Sequence, residues 1–82
     1  MPTVLRFAGL RVAIYFNDHR PAHVHVMGRG SEAVFDLHCP AGPLEVRENY
    51  GFSRRDIATI ESNLMAMVSL LCQAWEEMHG IR

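Results

Sequence analysis

Alternating apolar and polar positions predict an antiparallel sheet in the first half of the chain. The clearest run is residues 10–16, where every second residue is large and apolar. Further strand-like runs occur at residues 4–7, 23–27, 32–38 and 44–48. Successive side chains on a strand point to opposite faces, so each run has one apolar and one polar face. Short glycine-, proline- and asparagine-containing turns separate the runs, which favours a meander of four or five strands over residues 1–48.

The same alternation assigns residues to the two faces of the sheet. The expected inner face carries the apolar residues Leu10, Val12, Ile14, Phe16, Val24, Val26, Ala33, Phe35, Leu37, Leu44 and Val46. The opposite face collects Arg11, Tyr15, His23, His25, Glu32, Asp36, His38, Glu45 and Arg47. An antiparallel sheet commonly leaves one face in water, so this polar face is an ordinary surface as well as a candidate site.

A spacing of three and four residues between apolar positions predicts one long helix over residues 53–79. The stripe consists of Ile57, Ile60, Leu64, Met67, Leu71, Ala74 and Met78. Ser53, with Asp56 three residues later, is a variant of a capping box, and Gly80 is a natural stop. The prediction is therefore a single α+β domain over residues 1–82, in which the C-terminal helix packs on one face of the sheet.

This helix is longer and more apolar than a small sheet requires. About 27 residues at 1.5 Å each span ~40 Å, whereas a globule of this size is ~30 Å across. Residues 62–75 contain no charged side chain, and a helix that is apolar all round is buried all round. We therefore expect a homodimer or a cognate protein partner to cover the residues off the stripe, Met65, Val68, Leu70, Cys72 and Trp75. The alternative is a helix that breaks in two and folds back on the sheet.

Candidate chemistry is concentrated in residues 17–27, which hold three of the five histidines. His23 and His25 share a strand face and suit a zinc or another divalent metal, with His38, His19, Asp18 or Asp36 completing the ligands. They also suit metal-free RNA cleavage, with a histidine as general base and Arg11, Arg20 or Tyr15 at the phosphate. A third reading is purely structural hydrogen bonding. No paired Cys-x-x-Cys or His-Glu-x-x-His motif supports a metal, so no cofactor is predicted beyond this alternative.

Net charge and cysteine content bear on whether the chain binds nucleic acid and on the compartment in which it works. The net charge is −1, and all eight basic residues are arginines. Residues 1–31 hold four arginines and one acid, a net of +3, and residues 32–82 hold four arginines and eight acids, a net of −4. This asymmetry supports nucleic-acid binding only weakly. Two cysteines, Cys39 and Cys72, are expected to be free thiols in a reducing cytoplasm, and no signal peptide or membrane-length apolar run is recognised.

Several segments together resemble a small bacterial family called domain of unknown function 4160. They are the N-terminal Met-Pro-Thr-Val-Leu-Arg, residues 15–26 (Tyr-Phe-Asn-Asp-His-Arg-Pro-Ala-His-Val-His-Val), residues 32–35 and residues 48–53. Ala22 stands where the family usually has a second proline, and the loop at residues 39–43 looks longer than usual. The resemblance implies one half of a two-gene, toxin–antitoxin-like module, often paired with a protein of the domain-of-unknown-function 2442 type. It carries over no catalytic residue.

The leading functional prediction is therefore a toxin–antitoxin-like or regulatory protein-interaction module. The alternative is an RNA-cleaving or metal-dependent enzyme centred on His23 and His25.

Overall fold

Five antiparallel strands form one sheet in the computed structural model, which describes residues 3–80. The strands are β1 (Thr3–Phe7), β2 (Leu10–Ala13), β3 (His23–Gly28), β4 (Ser31–Asp36) and β5 (Glu45–Tyr50). Their spatial order equals their order in the chain, so the predicted antiparallel meander and the α+β class are confirmed. The single-domain prediction over residues 1–82 stays a prediction, and its parts at residues 1, 2, 81 and 82 lie outside the described residues.

The inner face of the sheet follows the predicted parity in its three central strands. Val12 of β2 lies opposite Val26 of β3, which lies opposite Ala33 of β4, and Val24 lies opposite Phe35. All five side chains are inaccessible to solvent. Each apolar side chain therefore packs beside another on the same face, where cross-strand pairs stabilise a sheet.

The prediction of one long helix is wrong, because two helices fold over the sheet. They are α1 (Arg54–Met65) and α2 (Val68–His79), and their axes differ by 75° at the break. An unbroken helix of about 27 residues would measure ~40 Å, more than the molecule's longest dimension of 33 Å. The predicted ends are confirmed, since the Ser53 side chain accepts a hydrogen bond from the Asp56 amide and Gly80 follows α2. In the described part of the chain no single helix could cross a membrane by length and composition, although the bent pair taken together passes that test.

The break also accounts for the apolar residues that the sequence placed off the main stripe. Val68, Cys72 and Trp75 are buried in the same core as the stripe residues Leu64 and Leu71. A folded-back helix pair offers more than one of its faces to a single sheet and its flanking loops. The burial of these three residues is thus provided by this chain itself.

The prediction of free cysteines is wrong as well. Cys39, in the loop after β4, and Cys72, in α2, form a disulfide with an S–S distance of 2.07 Å. The two cysteines are 33 positions apart, so local sequence patterns could not indicate that they are close. The break between α1 and α2 returns α2 towards that loop. The cytoplasmic location was inferred from free thiols, and it stays a prediction.

Two residues expected in the core are at the surface. Phe16 is 78% exposed, because β2 ends at Ala13 and the chain enters a loop before reaching it. Val46 lies opposite the buried Phe35 but is 39% exposed. Its strand, β5, forms an edge of the sheet, and every one of its residues is exposed. In the described structure neither face of β5 is covered.

Candidate functional site

The histidine stretch lies where the loop of residues 14–22, the start of β3 and the end of α2 meet. His23 and His25 project from the same face of β3, and their ring centroids are 5.2 Å apart. Asp18 comes from the loop and lies against both rings. We call Asp18, His23 and His25 the Asp–His cluster. The alternation of side chains along β3 places the two imidazoles, and the loop supplies the carboxylate.

Asp18 is held from two sides. Its Oδ2 accepts a hydrogen bond of 2.9 Å from the Tyr15 amide, which closes the turn after β2. His25 Nε2 lies 3.1 and 3.2 Å from the two carboxylate oxygens, and His23 Nε2 lies 3.5 Å from Oδ1. Burial alone would raise the pKa of Asp18, but the Tyr15 amide and the two histidines together lower it below its ordinary value. The carboxylate is therefore kept ionised beside the two imidazoles.

His23 is buried, although it lies on the face predicted to be polar. Its ring centroid is 5.2 Å from that of Trp75, a fully buried residue of α2. Its Nδ1 donates a hydrogen bond of 2.9 Å to the Pro21 carbonyl, because a carbonyl oxygen can only accept. The end of α2 thus closes this part of the sheet face, which the alternation pattern could not indicate.

The last turn of α2 forms hydrogen bonds with the loop that carries Asp18 and holds it in place. His79 stacks on Trp75 with ring centroids 3.9 Å apart, and its Nε2 lies 3.0 Å from the Tyr15 carbonyl oxygen. Arg20 donates a hydrogen bond of 3.0 Å to the His79 carbonyl. Sequence reasoning missed His79 as a site residue and assigned Trp75 to a protein interface instead of to this site. Their spacing of four on a helix was the available indication that they share a face.

Tyr15 and Arg11, both predicted site residues, extend along the same sheet face. The Tyr15 ring lies 4.9 Å from the His25 ring, and its hydroxyl is 3.7 Å from the sulfur of Met27. Arg11 Nη2 lies 2.9 Å from the same sulfur. Tyr15 therefore borders the Asp–His cluster directly, whereas the Arg11 guanidinium contacts Met27, two residues beyond His25 on β3.

The predicted metal ligands separate into two groups. One ligand atom from each member of the Asp–His cluster lies within 4.8 Å of the others. Asp36 and His38, which the sequence placed with His23 and His25, instead form a second group with Glu45. In this group His38 Nε2 lies 3.1 Å from Glu45, and Asp36 forms an ion pair with Arg47. His19, also considered as a ligand, is exposed and belongs to neither group.

The predicted interface residues differ in their exposure. Val68, Cys72 and Trp75 are buried, Met65 is half-buried, and Leu70 is 49% exposed. Leu70 borders a shallow groove between β1 and α2 that is lined by Val4, Leu70, Leu71, Gln73, Ala74 and Glu77. The interface prediction was made for all five residues, and at this surface only Leu70 offers a large exposed apolar side chain.

β5 is a second exposed surface, of which the sequence had assigned Val46 to the sheet core. Tyr50 is 64% exposed on the face shared with Glu32, and Val46 is exposed on the opposite face. The Glu48 carboxylate raises the pKa of the Tyr50 hydroxyl, which donates a hydrogen bond of 3.3 Å to it. Both faces of this edge strand thus carry an apolar or aromatic group among charged ones.

Comparison with known proteins identifies a family. The model of a family described as "Domain of unknown function (DUF4160)" matches residues 9–76. This range contains the Asp–His cluster, β5 and the first nine of the twelve residues of α2. A search of curated proteins and a search of solved structures find no match.

Proposed function

Since this chain belongs to the domain of unknown function 4160 family, whose description assigns no activity, we propose a function from its geometry. In this proposal the chain is a toxin–antitoxin-like or regulatory interaction module that acts by binding another protein. β5 is the observation that supports this proposal best. All six of its residues are exposed, and β4 is its one neighbour in the sheet formed by the described residues.

An edge strand that is bare on both faces is suited to pairing with a strand of another protein. Its outer backbone N–H and C=O groups can continue the sheet, and its side chains on both faces can contact the partner. Val46 and Tyr50 supply apolar area on opposite faces. Tyrosine is enriched at protein interfaces because it combines a large ring with a polar tip.

The charges of β5 disfavour the centred pairing of this strand with a second copy of itself. In a two-fold symmetric pairing of antiparallel strands, the residue at the centre lies opposite itself. The centre of β5 is formed by Arg47 and Glu48. Either central residue would then face a like charge, which destabilises a strand pair. A shifted register centred on Val46 would instead pair Glu45 with Arg47, so the charges alone do not decide between the two partners. We propose as partner a small cognate protein of the domain-of-unknown-function 2442 type, which the family resemblance implies, and the experiment below distinguishes it from a second copy.

The experiment compares two surfaces of the same chain. The purified protein is mixed with the cognate protein, and complex formation is measured by light scattering and calorimetry. We expect the double variant Val46→Asp/Tyr50→Asp to bind at least about tenfold more weakly than the wild type. The matched control is Leu70→Glu, because it also places a charge at an exposed apolar residue but on α2. It should bind as the wild type does.

Three results would contradict the proposal. The wild type could form no complex, the β5 double variant could bind normally, or Leu70→Glu could be the variant that abolishes binding. The last result would place the interface on the helix face that the sequence predicted. A homodimer of the wild type that the β5 substitutions dissolve would replace the cognate protein by a second copy.

An enzyme centred on His23 and His25 is the second candidate. The pairing of an imidazole with a carboxylate, as in His25 and Asp18, is the arrangement that orients a histidine for general-base catalysis. The low exposure of these side chains weighs against an enzyme. The exposed fraction is 6% for His23, 17% for His25 and 12% for Asp18. A phosphodiester substrate needs more open access than this, so the interaction module ranks first.

A further inference from the structure

The geometry points to a binding site for one divalent transition-metal ion, of the zinc class, in the Asp–His cluster. The ligands are Nε2 of His23, Nε2 of His25 and a carboxylate oxygen of Asp18. This inference rests on the hydrogen-bonding state of the two rings. It is independent of β5 and of the proposed partner.

The hydrogen bond of His23 defines which of its nitrogens carries a proton. Nδ1 lies 2.9 Å from the Pro21 carbonyl oxygen and must donate to it. In the neutral ring Nε2 is then an unprotonated acceptor, and it faces an oxygen of Asp18 at 3.5 Å. Two acceptors that face each other in a buried site repel. A cation between them removes the repulsion, since both atoms then act as its ligands.

In either neutral form, His25 also has a ring nitrogen whose hydrogen bonding is unsatisfied. Its Nε2 lies beside both oxygens of Asp18, and its buried Nδ1 has no hydrogen-bond partner within residues 3–80. If Nε2 carries the proton, Nδ1 is an orphaned acceptor. If Nδ1 carries it, the Glu32 carboxylate is 3.8 Å away, too far for a hydrogen bond, and Nε2 is a second unprotonated nitrogen facing Asp18. A bound metal makes the latter form favourable.

The surroundings match the second coordination shell of a metal site. Metal-binding histidines usually donate their other N–H to a backbone carbonyl or a carboxylate, which orients the ring. Pro21 supplies the carbonyl for His23, whereas the Glu32 carboxylate lies 3.8 Å from His25 Nδ1, beyond hydrogen-bond distance. The Tyr15 amide fixes the second oxygen of Asp18. Two of the three ligands, His23 and Asp18, are thus oriented by backbone hydrogen bonds before any ion binds.

The distances and the donor set select the class of metal. Ligands at about 2.0–2.1 Å from a tetrahedral zinc are separated by about 3.3 Å. The two separations from Asp18 Oδ1, 3.1 Å to His25 Nε2 and 3.5 Å to His23 Nε2, lie on either side of this value. Two imidazoles and one carboxylate suit zinc and its neighbours, whereas calcium and magnesium prefer oxygen ligands alone. Three protein ligands leave a position for water or for a group from a partner.

The second group of candidate ligands provides the control. His38 and Glu45 are exposed, with 51% and 69% of their side chains accessible, and Asp36 is paired with Arg47. These groups have partners in the described structure and no orphaned nitrogen. Substitution of His38 therefore removes a surface imidazole from the same protein without touching the proposed site.

The test uses the full chain, purified without a histidine tag and stripped with EDTA. Zinc chloride is titrated by calorimetry, and cobalt chloride is added separately to record the visible absorption of the bound ion. We expect binding of about one equivalent, a cobalt spectrum of low coordination number and a higher melting temperature with zinc. His25→Gln and Asp18→Asn should each weaken zinc binding by about 100-fold or more, whereas His38→Gln should change it by less than about twofold.

The titration of the wild type tests the inferred metal site even if a variant of the Asp–His cluster fails to fold. Binding of less than about a tenth of an equivalent would overturn the inference and leave a proton as the cation between the rings. Zinc binding that His38→Gln abolishes, or that a folded His25→Gln variant retains in full, would overturn it as well. In that case the ion would belong to a different site.

Discussion

Reduction of the disulfide should remove a large part of this protein's stability. The bond joins residues 33 apart, so breaking it restores the freedom of the enclosed loop in the unfolded chain. For a loop of this length the chain-entropy relation gives about 4 kcal/mol at 25 °C. A domain of 82 residues has a total unfolding free energy of roughly 4–12 kcal/mol. The reduced protein should therefore be marginally stable, and its melting temperature should fall by about 15–30 °C.

Urea unfolding of the oxidised and reduced forms provides the measurement. The single tryptophan, Trp75, is buried three residues from Cys72 and reports on the packing of α2 through its fluorescence. Alkylation of the unfolded, non-reduced protein followed by mass spectrometry counts the free thiols and should find none. The control is the double variant Cys39→Ala/Cys72→Ala, whose transition should not respond to reductant.

Coinciding transitions of the two forms would refute this reasoning. A difference in unfolding free energy below about 1 kcal/mol would mean that the cross-link does not constrain the unfolded chain as the loop length requires. Free thiols in the folded, air-equilibrated protein would contradict the bond itself.

Three further predictions concern the residues around the Asp–His cluster. Folding lowers the pKa of Asp18, so its stabilising contribution is complete above its unfolded pKa, near 3.8, and is lost as the pH falls through the lower folded value. In EDTA, Asp18→Asn should flatten the acid limb of stability against pH, and an unchanged limb would contradict this. Trp75→Ala should lower the unfolding free energy by about 3–5 kcal/mol in urea titrations, because it empties a fully buried site, whereas a loss below about 1 kcal/mol would exclude that packing. If expression of the wild type inhibits growth, a folded His23→Ala/His25→Ala variant should still inhibit it, and loss of inhibition would favour the enzyme.

Local patterns were sufficient to predict the antiparallel meander and the inner face of its three central strands. Alternation along residues 23–27 and 32–38 identified the inner face, because one buried face fixes the parity of a strand. The pairing of Val24 with Phe35 and of Val26 with Ala33 follows from that parity and a short turn. The start of α1 was equally local, since the Ser53 cap depends on a residue only three positions away.

The break between α1 and α2 could not be predicted from the same patterns. Residues 66 and 67 contain neither glycine nor proline, and the apolar spacing continues through them. The helix ends there because the core is shorter than an unbroken helix, which is a property of the whole molecule. The disulfide and the contacts of His79 with Tyr15 depend on that break, so they were outside the reach of local reasoning.

One face of α2 connects the disulfide to the candidate site. Cys72, Trp75 and His79 are spaced by three and four residues, which places them on the same side of a helix. They contact, in that order, Cys39, His23 and Tyr15. The sequence had assigned Cys72 and Trp75 of this face to an interface with a partner. In the structure the face packs within the chain, and it positions the loop of Asp18 beside His23 and His25. The surface that remains for the partner we propose is the exposed edge strand β5.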